Sequence, residues 1–211
     1  MNRGEDPAPD DTVIEVPLPH ASAPGGPLRL FTNRPFLWLV FGESFAMLAR
    51  WGFFLALVGD ATYRFDATPA QVGLLIGSYS LPLIVVSPLY GAAADRWSAK
   101  WLLVVSSLTV MSVPIIAVTT SSLAGLYLAA ILYGLGYAAE MPARGALVPR
   151  LVGQDRLVQA NGMITAASSV QMVIGPALGA LLTGVGGPTA PYFVSIVAGG
   201  LGAAFFLPVP D

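Results

Sequence analysis

Residues 87–100 read SPLYGAAADRWSAK and separate two long apolar runs of the chain. The first run closes on Gly91 and three alanines, and the charged pair Asp95 and Arg96 follows at once. A second apolar run begins at Trp101. Charged residues concentrated in so short a break are typical of a loop between two membrane helices, because charges are costly inside a bilayer. The stretch therefore predicts a tight hairpin of two membrane helices.

The composition indicates that lipid is the main solvent of the chain. Of its 211 residues, 55% are hydrophobic and 10% are charged, and the mean hydropathy is +0.71. A soluble domain carries about 25% charged residues, so this chain has too few charges to cover a water-exposed surface. We therefore predict a protein whose principal partner is the lipid bilayer.

Residues that the chain lacks exclude several classes of function. It contains no cysteine, which excludes disulfides and cysteine-based metal or nucleophile sites. Its single histidine, His20, lies in a proline-rich N-terminal stretch. The sequence shows no nucleophile with an adjacent base, no metal cluster and no phosphate-binding loop, so we predict no enzyme, no metal and no cofactor. No basic face indicates a nucleic-acid partner.

Long apolar segments make up most of the chain. Residues 1–34 are rich in Pro, Ala, Gly and acidic residues and predict a disordered cytoplasmic tail. Each later segment has roughly 19–25 residues, enough to cross a ~30 Å hydrocarbon core as a helix, and an open sheet would leave backbone groups unpaired in lipid. We predict an all-α membrane protein whose bundle, residues 35–208, has six transmembrane helices over about 35–59, 70–94, 101–119, 123–141, 160–184 and 189–207.

Basic residues predict the orientation of these helices. With an even number of spans both termini lie on one side, and Arg and Lys concentrate in cytoplasmic loops. The opposite side holds Arg64 alone. We therefore predict a multi-pass protein of a cell inner membrane with both termini in the cytoplasm. Seven basic residues flank the spans on the predicted cytoplasmic side, namely Arg29, Arg34, Arg96, Lys100, Arg144, Arg150 and Arg156.

The longest connection, residues 142–159, has its own pattern. Apolar residues such as Leu147 and Leu151 alternate with Arg144 and Arg150. Such alternation predicts a short amphipathic segment that lies on the inner membrane face.

Predicted helices 2 and 5 share a short motif. Helix 2 contains Pro88-Leu-Tyr-Gly91-Ala, and helix 5 contains Gly175-Pro176-Ala-Leu-Gly179-Ala. If the six helices are two three-helix repeats, these two helices are equivalents and the repeats are inverted, as in transporters. The alternative is a chance match, because Pro and Gly are frequent in membrane helices. These residues are candidates for helix kinks and close helix packing.

The hairpin loop resembles a family signature. In GAAADRWSAK, four residues match the Gly-x-x-x-Asp-Arg loop, followed by basic residues, of the major facilitator superfamily: Gly91, Asp95, Arg96 and Lys100. The stretch over 142–161 and the GPALG motif of helix 5 are similar to the branch that includes enterobactin-type siderophore exporters and macrolide efflux pumps. The resemblance covers residues 35–207.

The resemblance implies the N-terminal six-helix half of a twelve-helix transporter. It implies that the loop with Asp95 and Arg96 is a conformational latch, which braces against the C-terminal half in the outward-facing state. The chain also departs from the drug–proton antiporters. Ala130 stands where they often carry Arg in helix 4, and Ile164 and Gln171 stand where glycines are usual in helix 5. Proton coupling by the usual residues is therefore not implied.

Two charged residues inside predicted helix 1 are candidates for a transport cavity. Glu43 and Arg50 are seven residues apart, so they lie on nearly the same helix face, separated by about 10 Å along the axis. A charge within a span usually faces a bundle interior. Glu43 is then a proton or cation site, and Arg50 contacts an anionic group or an internal carboxylate. The alternatives are that Glu43 reaches the cytoplasmic interface and that Arg50 only fixes helix packing.

Glu140 and Arg144 follow at the end of predicted helix 4. Their spacing allows an ordinary i, i+4 ion pair. The alternative is a cytoplasmic charge network that also includes Arg96.

Two functions follow from this reading. The first is a transport module, half of an efflux-type secondary transporter that exports a small amphipathic molecule of the siderophore or macrolide kind and is driven by an ion gradient. It requires a second six-helix half or a homodimer, and the Arg-rich composition favours a bacterial source. The second is a truncated, non-transporting membrane protein that serves as a structural or regulatory partner of a full-length transporter.

Overall fold

A computed structural model describes residues 27–211, with side chains from Leu30 onward except that of Asp95. The described chain is helical throughout and contains no strand, which confirms the prediction of an all-α protein. The α-helices are α1 Arg34–Tyr63, α2 Pro69–Arg96, α3 Ala99–Thr119, α4 Leu123–Tyr137, α5 Glu140–Val152, α6 Leu157–Gly186 and α7 Ala190–Phe206, with 3-10 turns at Pro27–Thr32 and Gln154–Arg156.

Residues 1–26 of the predicted tail, which covers 1–34, lie outside the described residues. Its last part forms the 3-10 turn Pro27–Thr32. Leu30 in this turn is 1% exposed and packs with the buried residues at the same end of the bundle. Leu30 therefore packs against the bundle a few residues upstream of α1.

Polar residues at the breaks determine where the helices begin. The Asn33 side chain accepts a hydrogen bond from the backbone N–H of Phe36 at the start of α1. Thr68 and Gln71 form a capping box at the start of α2. Ser98 caps α3 through the N–H of Trp101, 3.2 Å away. These side chains satisfy N–H groups that a helix leaves without an internal partner.

Five helical stretches within residues 27–211 are long and apolar enough to cross a membrane. They are Arg34–Tyr63, Pro69–Ala94, Ala99–Thr119, Leu123–Val152 and Gln154–Gly186. The sixth predicted span corresponds to α7, an apolar helix of 17 residues that is shorter than these five.

The predicted connection after helix 4 is largely helical. The helix predicted over 123–141 divides at Ala138 and Ala139 into α4 and α5, just after the sequence Gly134-Leu-Gly136, where glycine weakens helix propensity. α5 is amphipathic, since it buries Ala143, Leu147 and Val148. It ends at Gly153, whose φ of 76° suits glycine.

α1 lies at the centre of the packing. It contacts α6 and α7, while α3 packs between α7 and α4, and α2 packs against α4. The ring of Phe53 on α1 stacks on Tyr133 of α4 with centroids 3.9 Å apart. Gly52 allows α7 to approach closely, because a Cβ there would lie 2.8 Å from the carbonyl oxygen of Pro191. Close approach at small residues is a common basis of membrane-helix packing.

Contacts between helix ends show which termini lie at the same end of the bundle. At one end, Asn33 Nδ2 donates to the carbonyl oxygen of Leu151. At the other end, the Tyr127 hydroxyl donates to the carbonyl oxygen of Gln71, 2.9 Å away. The start of α1 and the end of α5 therefore share one end of the bundle, and the starts of α2 and α4 share the other.

α2 and α6 are the least covered of the long helices. In their most apolar stretches 11% and 17% of residues are buried, compared with 50% in α3. Large apolar side chains such as Ile84 and Leu89 on α2 and Val173 and Leu181 on α6 are exposed. These two helices therefore carry apolar surface that lipid or other helices can cover.

Candidate functional site

Four charged side chains meet between α1 and α5. α1 contributes Glu43 and Arg50, two helical turns apart, and α5 contributes Glu140 and Arg144, one turn apart. We refer to Glu43, Arg50, Glu140 and Arg144 as the charge cluster. Its formal charge is zero, since two carboxylates face two guanidinium groups.

The cluster contains two ion pairs, and both connect α1 with α5. Arg144 Nη1 donates to Glu43 Oε2 at 3.2 Å. Arg50 Nη1 lies 3.6 Å from Glu140 Oε1, which is beyond the usual hydrogen-bond distance. Sequence spacing favoured a Glu140–Arg144 pair within one helix. The structure instead pairs Glu140 with Arg50 and Arg144 with Glu43, and both partners belong to α1.

Burial makes this pairing necessary. Glu43 and Glu140 are each 6% exposed, and the side chains of Arg50 and Arg144 are 18% and 25% exposed. An isolated ion in such surroundings is strongly unfavourable, and removing one partner of a buried pair typically costs about 3–5 kcal/mol. The cluster therefore holds α1 and α5 together, and the loss of any single charge destabilises it.

Part of the hydrogen-bonding capacity of the cluster is unused. Glu43 Oε1 and Arg50 Nη1 are buried and have no hydrogen-bond partner among the described residues. The Arg50 guanidinium packs over the ring of Tyr137, 4.4 Å from its centroid, and contacts the Met47 sulfur. One carboxylate oxygen is thus free to accept, and one guanidinium nitrogen is free to donate.

Two cavities adjoin the cluster, and Arg50 lines both. One has a volume of about 200 Å³, and its wall includes all four charged residues together with Tyr137 and Ser168. The other has a volume of about 220 Å³ and is lined by Arg50, Trp51, Phe54 and Tyr79. Glu43 and Arg50 therefore line one cavity, while Arg50 also reaches an aromatic one.

The predicted latch residues are spread over the end of α2 and the start of α3. Arg96 is exposed at the last turn of α2, whereas the side chain of Asp95 lies outside the described part of the structure. Lys100 packs near the ring of Trp101 in the first turn of α3. The carboxylate of Asp211 accepts a hydrogen bond from Ser98 and approaches the N–H of Lys100. A carboxylate at this position interacts favourably with the N-terminus of α3.

The glycines of α6 contact α1 closely, whereas Gly91 of α2 does not. A Cβ at Gly175 would lie 2.6 Å from the side chain of Trp51, and one at Gly179 would lie 2.3 Å from Leu55. A Cβ at Gly91 would meet nothing within 4 Å. Both helices continue through their prolines, with Pro88 exposed and Pro176 partly buried. The shared motif thus occupies different surroundings in α2 and α6.

A second buried charge lies at the opposite end of α1, and sequence reasoning missed it. Asp60 is fully buried, and its Oδ2 accepts a hydrogen bond from Arg64 Nη1 at 2.8 Å. Arg64 also donates to the carbonyl oxygen of Thr120, which caps the C-terminus of α3. The i, i+4 spacing of Asp60 and Arg64 at the end of an apolar run was the signal available. The pair ties α1 to the turn between α3 and α4.

Within residues 27–211, no group of three or more His, Cys, Asp and Glu side chains is placed to hold a metal ion. Each carboxylate of the charge cluster forms an ion pair with an arginine.

Comparisons with known proteins agree with a transporter fold. The family model described as Major Facilitator Superfamily matches residues 39–211. The protein named "Uncharacterized MFS-type transporter YfiS" of Bacillus subtilis (strain 168) is 28% identical over 182 residues, which are 85% of this chain and 44% of that protein. "Multidrug resistance protein 2" of the same strain is 27% identical over 61% of this chain and 32% of its own length.

A third relative comes from another bacterium. "Putative multidrug resistance protein MdtD" of Yersinia pestis (strain Pestoides F) is 25% identical over 64% of this chain and 29% of its own length. The chain thus spans less than half the length of the curated relatives that it matches. Its apolar spans and its match to the family model make it an integral, multi-pass membrane protein. The chain belongs to the Major Facilitator Superfamily.

Proposed function

We propose that the chain forms one six-helix half of an efflux-type secondary transporter. The observation that carries this proposal is the charge cluster, in which two buried carboxylates meet two partly buried arginines beside two cavities of a largely apolar bundle. Ionisable residues within membrane spans are costly and mark substrate or ion pathways. The names of the relatives support export of drug-like amphipathic solutes.

The ion pairs of the cluster supply a mechanism for coupling transport to an ion gradient. Protonation of Glu43 removes its negative charge, and the pair with Arg144 then loses most of its attraction. α1 and α5 are joined by both pairs, so weakening one frees the helices to move relative to each other. An ion that binds at Glu43 in one conformation and leaves in another drives the alternating opening of the cavity.

The sixth span is α7. Its 17 residues extend about 26 Å at 1.5 Å per residue, at the lower limit of transmembrane helices. With six spans both termini lie on one side of the membrane, and the excess of basic residues near that side supports a cytoplasmic location for it. The bacterial relatives support a bacterial source. The six helices then divide into two inverted repeats of three, each with a weakly covered helix, α2 or α6.

The half works with a second six-helix unit, either a separate half or a second copy of the chain. The relatives are more than twice as long as the matched segment. The exposed apolar sides of α2 and α6 provide the surface for that unit. A two-fold axis along the membrane normal keeps all termini on one side, and the exposed Arg96 in the latch loop then faces the neighbouring unit.

Transport in proteoliposomes tests the proposal. The purified chain, alone and as a tandem fusion of two copies, is reconstituted with an imposed pH gradient, and movement of ethidium and carboxyfluorescein is followed. We expect gradient-dependent movement of at least one dye with the fusion, and its loss in the variant Glu43→Gln. Arg150→Gln serves as the control, because Arg150 is exposed and outside the charge cluster.

Two results would contradict the proposal. If neither form moves any dye although both are folded and inserted, the chain is the non-transporting membrane protein considered above. If dye moves equally well in Glu43→Gln, the charge cluster does not couple transport to the gradient.

A further inference from the structure

The aromatic cavity lies near the middle of α1. Arg50 is 16 residues after Arg34 and 13 before Tyr63, the two ends of the helix. At 1.5 Å per residue these separations are about 24 Å and about 20 Å. Lipid headgroups lie at the two surfaces of a ~30 Å hydrocarbon core, so a headgroup phosphate does not reach this depth. An anionic group in this cavity therefore belongs to a solute and not to a lipid headgroup.

Two residues that line this cavity carry buried donors, and the hydroxyl of a third, Tyr79, can both donate and accept. Arg50 Nη1 and Trp51 Nε1 are buried, and neither makes a hydrogen bond to another described residue. Guanidinium and indole groups donate hydrogen bonds and accept none. A buried donor without an acceptor costs about 1–3 kcal/mol, and more when it is charged. The site is thus complementary to a group that offers acceptors, and best to an anion.

The remaining wall of the cavity is aromatic and held in place. Trp51 and Phe54 meet edge to face with centroids 6.2 Å apart, and Phe54 and Tyr79 are 6.3 Å apart. Gly175 of α6 fixes the position of Trp51, because its missing side chain leaves room for the indole ring. Rings arranged at angles to one another suit a flat aromatic guest, which can stack on one and meet the edge of another.

We infer that this cavity binds the anionic group of an aromatic amphipathic solute. Arg50 and Trp51 donate hydrogen bonds to the anion, and the aromatic body of the solute packs against Phe54 and Tyr79. Arg50 is free to do so because its contact with Glu140 is 3.6 Å long and leaves Nη1 without a hydrogen bond. A lipid chain fills the space but satisfies neither donor. The inference names the substrate class of the transport site proposed above and rests on that proposal for its biological role.

Binding measurements with three matched probes test the inference. The full chain in lipid nanodiscs is titrated with 1-naphthoate, 1-naphthylmethylammonium and cyclohexanecarboxylate, and heat release is measured. We expect naphthoate to bind at least tenfold more tightly than the other two, since the ammonium probe lacks the anion and the cyclohexane probe lacks the flat ring. Equal binding of all three, or preference for the ammonium probe, overturns the inference.

Variants locate the probe. Arg50→Gln is expected to weaken naphthoate binding about tenfold to a hundredfold, the usual effect of losing a hydrogen bond to a charged group. Trp51→Phe keeps a ring but removes the N–H and is expected to weaken it about threefold to tenfold. Arg150→Gln and Trp38→Phe are the matched controls and leave binding unchanged. Unchanged binding in Arg50→Gln also overturns the inference.

Two further comparisons separate a loss of naphthoate binding from misfolding and from a loss of transport. Because Arg50→Gln leaves Glu140 without its partner, the double variant Arg50→Gln/Glu140→Gln removes both charges and is measured alongside it. The double variant must show the same loss of naphthoate affinity. If naphthoate binds as expected but no dye is transported, the proposed function fails and the binding site stands. If dyes are transported but Arg50→Gln does not affect naphthoate binding, the inference about the binding site fails and the proposed function stands.

Discussion

The ion pair between Glu43 and Arg144 gives the sharpest prediction for the stability of the bundle. The change is Arg144→Gln, which removes the positive partner and leaves the Glu43 carboxylate 6% exposed and unpaired. At the observed 3.2 Å, the attraction between unit charges is about 5 kcal/mol for an effective dielectric constant of ~20. Much of that gain offsets the cost of removing both charges from water.

The expected loss follows from the burial of the two partners. Breaking a fully buried pair costs about 3–5 kcal/mol. The Arg144 side chain is 25% exposed, so water enters partly when it is removed, and we expect the lower end, about 3 kcal/mol. Glu43→Gln leaves a partly exposed arginine and costs less. The double variant Glu43→Gln/Arg144→Gln leaves no uncompensated charge, and we expect it to cost about 1 kcal/mol.

The assay is reversible unfolding in mixed detergent micelles, analysed as a double-mutant cycle. We expect an interaction free energy of at least about 2 kcal/mol between residues 43 and 144. The same cycle between Glu43 and Arg150 is the control and should be additive within about 0.5 kcal/mol. If the effects of Glu43→Gln and Arg144→Gln are also additive, the pair does not couple α1 to α5, and the mechanism built on its release is wrong.

Three further changes test the packing and the helix ends, with the free energy of unfolding as the measurement. Gly175→Ala should lower it by about 1–3 kcal/mol because the new Cβ overlaps Trp51. Gly91→Ala faces open space and should leave the free energy of unfolding unchanged or raise it by up to about 1 kcal/mol. Equal effects of the two substitutions would contradict the packing described. Arg64→Gln should lower it by about 3 kcal/mol, since Asp60 is fully buried, and a loss below about 1 kcal/mol would show that water reaches Asp60. Ser98→Ala should lower it by about 1 kcal/mol through loss of the α3 cap, and no change would mean that another group caps the helix.

The all-α architecture could be predicted because the apolar segments are long and the breaks between them carry helix-start residues. Thr68 before Pro69, and Ser98 after the charged loop, are visible in the sequence and cap α2 and α3 in the structure. The division of the fourth span at Ala138 was not visible in the same way. Ala138 and Ala139 both keep right-handed helical φ and ψ values, and alanine favours helix, so no residue at the break itself marks it.

The charge cluster could be predicted in its members but not in its pairing. Periodicity places Glu43 and Arg50 on one face of α1, and the cost of charge in a membrane requires partners for both. Sequence spacing favoured an ion pair between Glu140 and Arg144 within one helix. The choice of partners across helices depends on the relative height of α1 and α5, which no local pattern specifies. Asp60 was missed for a related reason, since its burial depends on α7 and on the turn after α3.

The buried charges of α1 near Asp60 and near Arg50 differ in the role that their surroundings allow. At Asp60 the carboxylate and Arg64 belong to the same helix, and Arg64 also binds the carbonyl oxygen of Thr120. Such a pair stabilises one arrangement and offers no alternative partner. At Arg50 the carboxylate is on another helix, the contact is 3.6 Å long, and a cavity opens beside it. An arginine with a loose partner and an adjacent cavity can exchange one anion for another, which is the property that a transport site requires and a structural ion pair lacks.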